Sequence, residues 1–402
     1  MKLTVIGLGK LGYPMAEFLS SSGYSINCYD KNEETILKLI NNENYLKFES
    51  GLKNFVSNGN KLIFHSKIQD ALNDSEICFI TVPTPSKSDG SFSNDYLLQV
   101  LEDIAVFLKS RKGSKNSYII NINSTVTPGS IQNELISYLE KKGFKNNIDF
   151  TFLYNPYFVA LGDVIKGLEN PDLILIGQDN KDALKLLKKI YKKIYSEDNF
   201  SKILPVNLKE AELIKLLVNT YLTFKISFSN MVKDLVKDMN DVNIKNILDV
   251  IGSDTRIGKK YLKSGGPFSG PCLPRDNHAL DYYSKLMNKE NYLTSASIKT
   301  NQYTLEILKS DLLELKNQGF KNILFAGIGY KSNTESIEDT FIISLIDHAS
   351  SINFNVFFYD KYIDFKINEA TRVDEEKIND YSDLLFLPYE DKAFHKIVNN
   401  FK

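Results

Sequence analysis

One cysteine, Cys272, stands inside the run SGGPFSGPCLPRDNHAL (264–280), framed by glycine and proline and followed four residues later by Asp276. Glycine lets backbone amides approach a reacting centre, and Pro274 suits the first turn of a helix predicted over 275–287. A thiol near a helix N-terminus is favoured as thiolate, the nucleophilic form. An isolated cysteine is just as commonly a small core residue, so its companions decide. Lys215 and Asn219 are four apart in a segment of helical pattern, which puts them one turn apart on one face, where they could hold and polarise a substrate oxygen. A lysine on a helix is otherwise a solvated surface group. Near the start, Gly7-Leu8-Gly9-Lys10-Leu11-Gly12 follows a short apolar run and opens a helix. Gly7 permits the tight turn, Gly9 lets the backbone approach a pyrophosphate, and Gly12 lets the helix pack closely on the strand. Asp30, 18 residues beyond Gly12 at the end of the next strand, can accept bonds from an adenosine ribose and would repel a 2′-phosphate, so NAD is expected rather than NADP.

The elements that must position these groups follow from hydrophobic period. Strands are predicted at 2–8, 25–30, 62–64, 77–82, 118–122, 150–153 and 173–176 with helical stretches between them, which describes a doubly wound α/β sheet ending near residue 195. Thr84, in Val82-Pro83-Thr84-Pro85, and Thr125, in Ser124-Thr125-Val126-Thr127-Pro128-Gly129, lie just beyond the carboxyl ends of such strands, the edge where ligands of open parallel sheets bind. Each alone would read as turn or cap chemistry. After a strand at 203–205, residues 208–240 run without glycine or proline at helical spacing, long enough for a spine of about 50 Å. Helices follow at 243–251 and 292–318, and strands at 323–326, 356–359 and 384–387 predict a second, smaller nucleotide-binding-like sheet. The expected domains are 1–195, 196–300 and 301–402.

Composition narrows the class. With 402 residues the chain is multidomain, and with 49 basic against 50 acidic residues it has no field to recruit nucleic acid or an acidic membrane. The three cysteines, Cys28, Cys78 and Cys272, are odd in number and scattered, which argues against a disulfide framework and for a reducing, cytoplasmic setting. No apolar run approaches membrane-spanning length and no leader pattern precedes the first strand. The four histidines, His65, His278, His348 and His395, lack metal-binding spacing, so no metal is expected.

In order and approximate spacing, GLGKLG with Asp30, VPTP, STVTPG, Glu210-Ala211-Glu212-Leu213-Ile214-Lys215 through Asn219-Thr220-Tyr221-Leu222, Asp254-Thr255-Arg256-Ile257-Gly258, GPCLPRD and Gly329-Tyr330-Lys331-Ser332-Asn333-Thr334 resemble the UDP-glucose/GDP-mannose dehydrogenases. Members of that family oxidise a nucleotide sugar twice with two NAD to a uronic acid. The resemblance implies an NAD-binding Rossmann domain, a central helical dimerisation and catalytic region, and a C-terminal Rossmann-like domain for the UDP-sugar. It implies Cys272 as nucleophile, Lys215 and Asn219 as the pair stabilising the oxyanion, Asp276 as the carboxylate that orders or deprotonates water, and Thr125 near that water and NAD. Gly7, Gly9, Leu11, Gly12, Asp30, Thr84, Thr125 and Arg275 match cofactor positions. Tyr157, Lys215, Asn219, Arg256, Tyr261, Lys263, Ser269 and Lys331 match substrate positions, with Arg256 reaching across a homodimer. A bacterial-type polysaccharide precursor pathway is implied by the family alone.

The chain departs from the pattern in one segment. Where the family carries a glutamate directly after Asn-Pro or Ser-Pro, and glucose-type members often another four residues on, this chain has Tyr157 and Leu161. Glu338 stands where an arginine is common, and Pro267, Ser269 and Pro271 replace small or flexible residues around the thiol. UDP-glucose oxidation to UDP-glucuronate is the leading expectation, with another UDP-hexose or UDP-N-acetylhexosamine, or an impaired nucleotide-sugar binder, as alternatives. A β-hydroxyacid dehydrogenase, which shares the Rossmann domain and the Lys-x-x-x-Asn pair, is disfavoured by GPCLPRD and the C-terminal sheet.

Overall fold

Short apolar runs with period two become buried strands whose alternate residues serve opposite faces. In a computed structural model of the chain the described residues are 1–41, 46, 49–56, 61–111, 113–114, 116–332, 334–378 and 383–388; Asn333 and His395 fall outside them. The chain divides into two compact units, Met1–Lys215 and Leu216–Lys402.

The first unit holds Lys2–Ile6 (β1), Ser25–Tyr29 (β2), Leu62–Phe64 (β3), Ser75–Ile80 (β4), Tyr118–Ile122 (β5), Phe150–Tyr154 (β6), Ile174–Gln178 (β7) and Ile203–Val206 (β8). They form one sheet in the order β3-β2-β1-β4-β5-β6-β7-β8. Leu3 and Val5 of β1 and Ile77 and Phe79 of β4 enter one apolar cluster, while Ile6, Cys78 and Ile80 enter the other, so the two clusters cover the two faces. The order reverses between β1 and β4, which opens a crevice at the carboxyl ends of the strands. The expectation of a wholly parallel sheet is corrected at one pair: β6 and β7 run antiparallel, Leu153 opposite Gln178 and Tyr154 opposite Gly177. An antiparallel partner starts at the edge where its neighbour ends, so the connection carrying Asn155 to Leu161 need not recross a face.

The turn after β1 shows why its glycines are needed. Gly7 has φ +89°, and a Cβ there would lie 3.1 Å from the Thr81 carbonyl carbon. A Cβ on Gly12 would fall 1.8 Å from the Gly7 oxygen, so the helix Gly12–Ser21 approaches the strand only because residue 12 has no side chain. At Gly9 nothing lies within 4 Å of the corresponding point.

In the second unit Asn322–Ala326 (β9), Asn355–Tyr359 (β10), Thr371–Arg372 (β11) and Leu384–Phe386 (β12) form a parallel sheet in the order β11-β10-β9-β12. The sheet repeats the first turn: Gly327 N–H donates to the Tyr359 carbonyl at 2.8 Å, as Gly7 does to Tyr29 at 2.9 Å. Ile328 N–H donates to Asp360 at 2.8 Å, as Leu8 does to Asp30 at 2.6 Å.

The long helix spans Leu208–Leu235 and is shorter than the period predicted. Beyond it, bonds such as Lys237 N–H to the Asp234 carbonyl tighten into turns. Asp238, Asn240, Asp241 and Asn243 follow, residues whose side chains compete for backbone partners. Asn243 then caps Ile244–Ser253, accepting from Lys245 and Asn246. Among the described residues no helix is long and apolar enough to cross a membrane.

The glycine geometry predicts a contrast. Gly12→Ala should destabilise the chain by roughly 1–3 kcal/mol or more through overpacking against backbone, whereas Gly9→Ala should leave stability within about 0.5 kcal/mol. Urea unfolding followed by circular dichroism measures both; equal losses at the two positions would contradict the close-approach argument.

Candidate active site

The first unit gathers three groups of predicted residues. Asp30 Oδ2 accepts Leu8 N–H at 2.6 Å and Oδ1 accepts Asn32 N–H at 2.8 Å, so the carboxylate is fixed at the end of β2 by backbone donors. A carboxylate has about four lone-pair sites, which leaves capacity for ribose hydroxyls. With Leu11 at the start of the following helix and the open side of Gly9, the turn fits a dinucleotide pyrophosphate. The loops after β4 and β5 are tied to each other: Thr84 Oγ1 donates to the Thr125 carbonyl at 2.6 Å, and Ser124 Oγ donates to the Val82 carbonyl at 2.6 Å. Thr125 is half-buried.

Lys215 is 7 % exposed, and its ammonium donates to the Tyr157 carbonyl at 3.0 Å and lies 4.6 Å from the centre of the Phe158 ring. This is not the solvated lysine that helical position alone would suggest. The Tyr157 hydroxyl meets the Tyr191 hydroxyl at 3.1 Å, and Tyr191 in turn donates to Asn155. Burial pushes the Tyr157 phenol up to about 12 and that of Tyr191 well above its ordinary value. Phenols held that high supply no base near neutral pH, so Tyr157 offers a hydroxyl but no base.

The second unit gathers the thiol's companions. Cys272 is exposed and stands at the N-cap position of the helix Leu273–Leu286, with Pro274 in its first turn. Asp276, 2 % exposed, sits one turn in, and its Oδ2 accepts Asn219 Nδ2–H at 2.6 Å. Arg275 Nε lies 3.9 Å from Asp276 Oδ1. Beside this pair the Thr223 hydroxyl bonds Asn277 Oδ1 at 3.1 Å, and Asn277 Nδ2 donates to the Leu273 carbonyl at 2.8 Å. The three cysteines form no disulfide, and Cys28 and Cys78 are buried in β2 and β4.

The remaining predicted residues lie elsewhere in the sequence of the second unit. Arg256 is exposed and pairs with Asp254 of its own loop at 2.6 Å. Tyr261, with φ +62°, and Lys263 are exposed, whereas Ser269 and Lys331 are half-buried. Among the described residues no cluster of His, Cys, Asp or Glu is arranged to hold a metal ion.

Sequence reasoning assigned no role to Glu212. It is 1 % exposed, and its two oxygens accept Gly129 N–H at 2.6 Å and Ile131 N–H at 2.9 Å. The carboxylate thereby ties the end of STVTPG to the helix that carries Lys215. Its place three residues before Lys215, on the same face, was the available signal. Burial pushes its carboxyl up to about 7 against the pull of the two N–H donors.

Residues 1–195 match the model for the NAD binding domain of the UDP-glucose/GDP-mannose dehydrogenase family, and residues 209–303 match its central domain. The UDP-glucose 6-dehydrogenase of Rickettsia bellii is 32 % identical over 352 residues, covering 86 % of this chain and 77 % of that protein. In fold, the chain resembles a UDP-glucose dehydrogenase from Pyrobaculum islandicum (TM-score 0.84, 23 % identity, 96 % of this chain and 89 % of that one). It also resembles the UDP-D-ManNAc dehydrogenase from Pyrococcus horikoshii (TM-score 0.80, 24 % identity, 98 % and 90 %).

Glu212 carries a pH signature. Its folded value lies above its ordinary 4.5, so between about 4.5 and 7 the native state keeps a proton that the unfolded chain has released, and stability falls as pH rises through that window. Glu212→Gln should remove this contribution, so the stability difference between variant and parent should shift by up to roughly 3 kcal/mol in the variant's favour across the window. Urea titrations at several pH values measure it; a difference independent of pH would refute the assignment.

Proposed function

The chain belongs to the UDP-glucose/GDP-mannose dehydrogenase family of NAD-dependent nucleotide-sugar dehydrogenases, and on that premise we propose that it carries out the four-electron oxidation of a UDP-hexose, UDP-glucose foremost, to the uronic acid. The observation that carries the reading is the 2.6 Å bond from Asn219 to the buried Asp276, one turn inside the helix that Cys272 opens. A carboxylate so held stands one helix turn beyond the thiol, which supports a role on the water that would release a thioester.

Bound NAD would supply the hydride acceptor for each oxidation. The first oxidation converts the primary alcohol to an aldehyde, a poor hydride donor until a nucleophile adds. Cys272 thiolate adds to the carbonyl carbon to give a thiohemiacetal, whose oxidation leaves a thioester. Water, ordered or deprotonated by Asp276 with Thr125 nearby, then releases the acid and restores the thiolate. Lys215 and Asn219 stabilise the alkoxide of each tetrahedral state, a role worth several kcal/mol where water is excluded. Gly7, Gly9, Leu11, Gly12, Asp30, Thr84 and Arg275 would hold NAD; Arg256, Tyr261, Lys263, Ser269 and Lys331 would hold the nucleotide sugar.

A homodimer belongs to the same proposal. Leu217, Tyr221, Phe228, Met231 and Leu235 are exposed on the long helix at spacings of four, seven, three and four. That pattern is one apolar stripe. A second copy covering it would also allow Arg256 to serve the neighbouring site.

The test is NADH formed per limiting sugar over UDP-glucose, UDP-N-acetylhexosamines and GDP-mannose. Two NADH and a released acid are expected from one UDP-sugar, and Cys272→Ser should lower that turnover roughly 10³-fold or more. An unaltered rate in the variant, or no turnover with any donor, would overturn the reading. One NADH with an aldehyde would place the block before the thioester forms, whereas a burst of two NADH per enzyme without released acid would place it at thioester hydrolysis, the step the absent glutamates bear on.

A further inference from the structure

The loop 264–271 that leads to Cys272 holds three glycines and two prolines, a composition with little intrinsic order. It is nevertheless held at two points by the same device. Asn230, on the long helix and 5 % exposed, accepts Gly265 N–H through Oδ1 at 2.9 Å and donates through Nδ2 to the Gly266 carbonyl at 3.0 Å. Asn301, on the helix Tyr292–Asn317, accepts Phe268 N–H at 2.6 Å and donates to the Phe268 carbonyl at 2.9 Å. In each case an amide N–H faces the oxygen and a carbonyl faces the nitrogen, so the partners fix the orientation of the carboxamide.

Both clasps need a side chain that donates and accepts across a short planar group, which only a carboxamide provides at neutral pH. The loop's other contacts leave little room for slack. A Cβ on Gly266 would fall 2.2 Å from the Phe341 ring, and one on Gly270, at φ +85°, 2.3 Å from the Tyr330 ring. Gly270 N–H also donates to the Asp339 carbonyl at 3.1 Å, two residues before the thiol.

We propose that Asn230 and Asn301 are positioning residues that set the approach of Cys272 by clasping the backbone of the loop before it. The inference rests on the reading of Cys272 as the nucleophile. Neither side chain touches the thiol in this assignment. Each acts through the loop, so removing one should affect formation of the sulfur–carbon bond more than cofactor binding.

The experiment uses the full chain and the variants Asn301→Ala, Asn230→Ala and Asn301→Asp. Amide hydrogen exchange should quicken about tenfold in the peptide covering 264–272, with other peptides little changed. Turnover of UDP-glucose should fall at least tenfold in kcat while KM for NAD moves less than twofold. Asn301→Asp, which keeps the acceptor and loses the donor, should lie between. Unchanged exchange overturns the clasp, and quickened exchange with an unchanged kcat overturns the positioning role. If the parent turns over no sugar, the proposed function fails and iodoacetamide labelling of Cys272 decides instead. A labelling rate altered fivefold or more in both alanine variants supports positioning, and an unaltered rate refutes it. The two other cysteines are buried, so labelling is expected to report on Cys272.

Discussion

The helix Leu208–Leu235 buries a continuous polar stripe, and that constraint governs the candidate site residues it carries. Glu212, Lys215, Asn219, Thr223, Ser227 and Asn230 recur every three or four residues, and all are buried. A buried polar group without a partner costs about 1–3 kcal/mol, more if charged, so each demands a fixed partner. Glu212 takes the backbone of Gly129 and Ile131, and Lys215 takes the Tyr157 carbonyl. Asn219 takes Asp276, Thr223 takes Asn277, Ser227 takes Ser297, and Asn230 takes the backbone of Gly265 and Gly266. Within the first unit Glu212 and Lys215 thus fix loops after β5 and β6, and within the second unit the later residues fix the segment that carries the thiol.

This arrangement departs from the usual amphipathic helix, for a polar stripe is buried beside Leu208, Ala211, Leu216 and Val232. The apolar residues of its other stripe are exposed, so hydrophobic burial within the chain does not explain the helix by itself. What the polar face supplies is specificity of position. A net hydrogen bond contributes only about 1 kcal/mol, but leaving its partner unmatched costs more, so mispositioned loops are disfavoured more strongly than correct ones are favoured. The charged members sharpen the effect, since the Asn219 to Asp276 contact is a short bond to a carboxylate.

The two sheets were legible because their signals are local. Gly7 and Gly12 have their types for reasons of backbone conformation and close approach, and Asp30 ends a strand at a readable distance from them. The antiparallel entry of β7 was not legible, because the direction of a strand depends on where its connection packs and not on its own residues. The end of the long helix at Leu235 was missed for a related reason: apolar spacing persisted while Asp238, Asn240 and Asp241 favoured turns.

Of the candidate site, the sequence alone determined the residue types and their order: a cysteine opening a helix, a carboxylate one turn on, and a lysine and an asparagine sharing a helix face. Those relations span a few residues and are set by helical geometry. Tertiary structure decided which of these groups are buried and what each one bonds. It turned the hydroxyl of Tyr157 toward Tyr191, gave Lys215 a carbonyl in place of solvent, and assigned Glu212, Asn230 and Asn301 to hold loops distant in sequence. Such partners are chosen by the need to satisfy buried donors and acceptors in the folded chain, a condition that no local pattern of residues encodes.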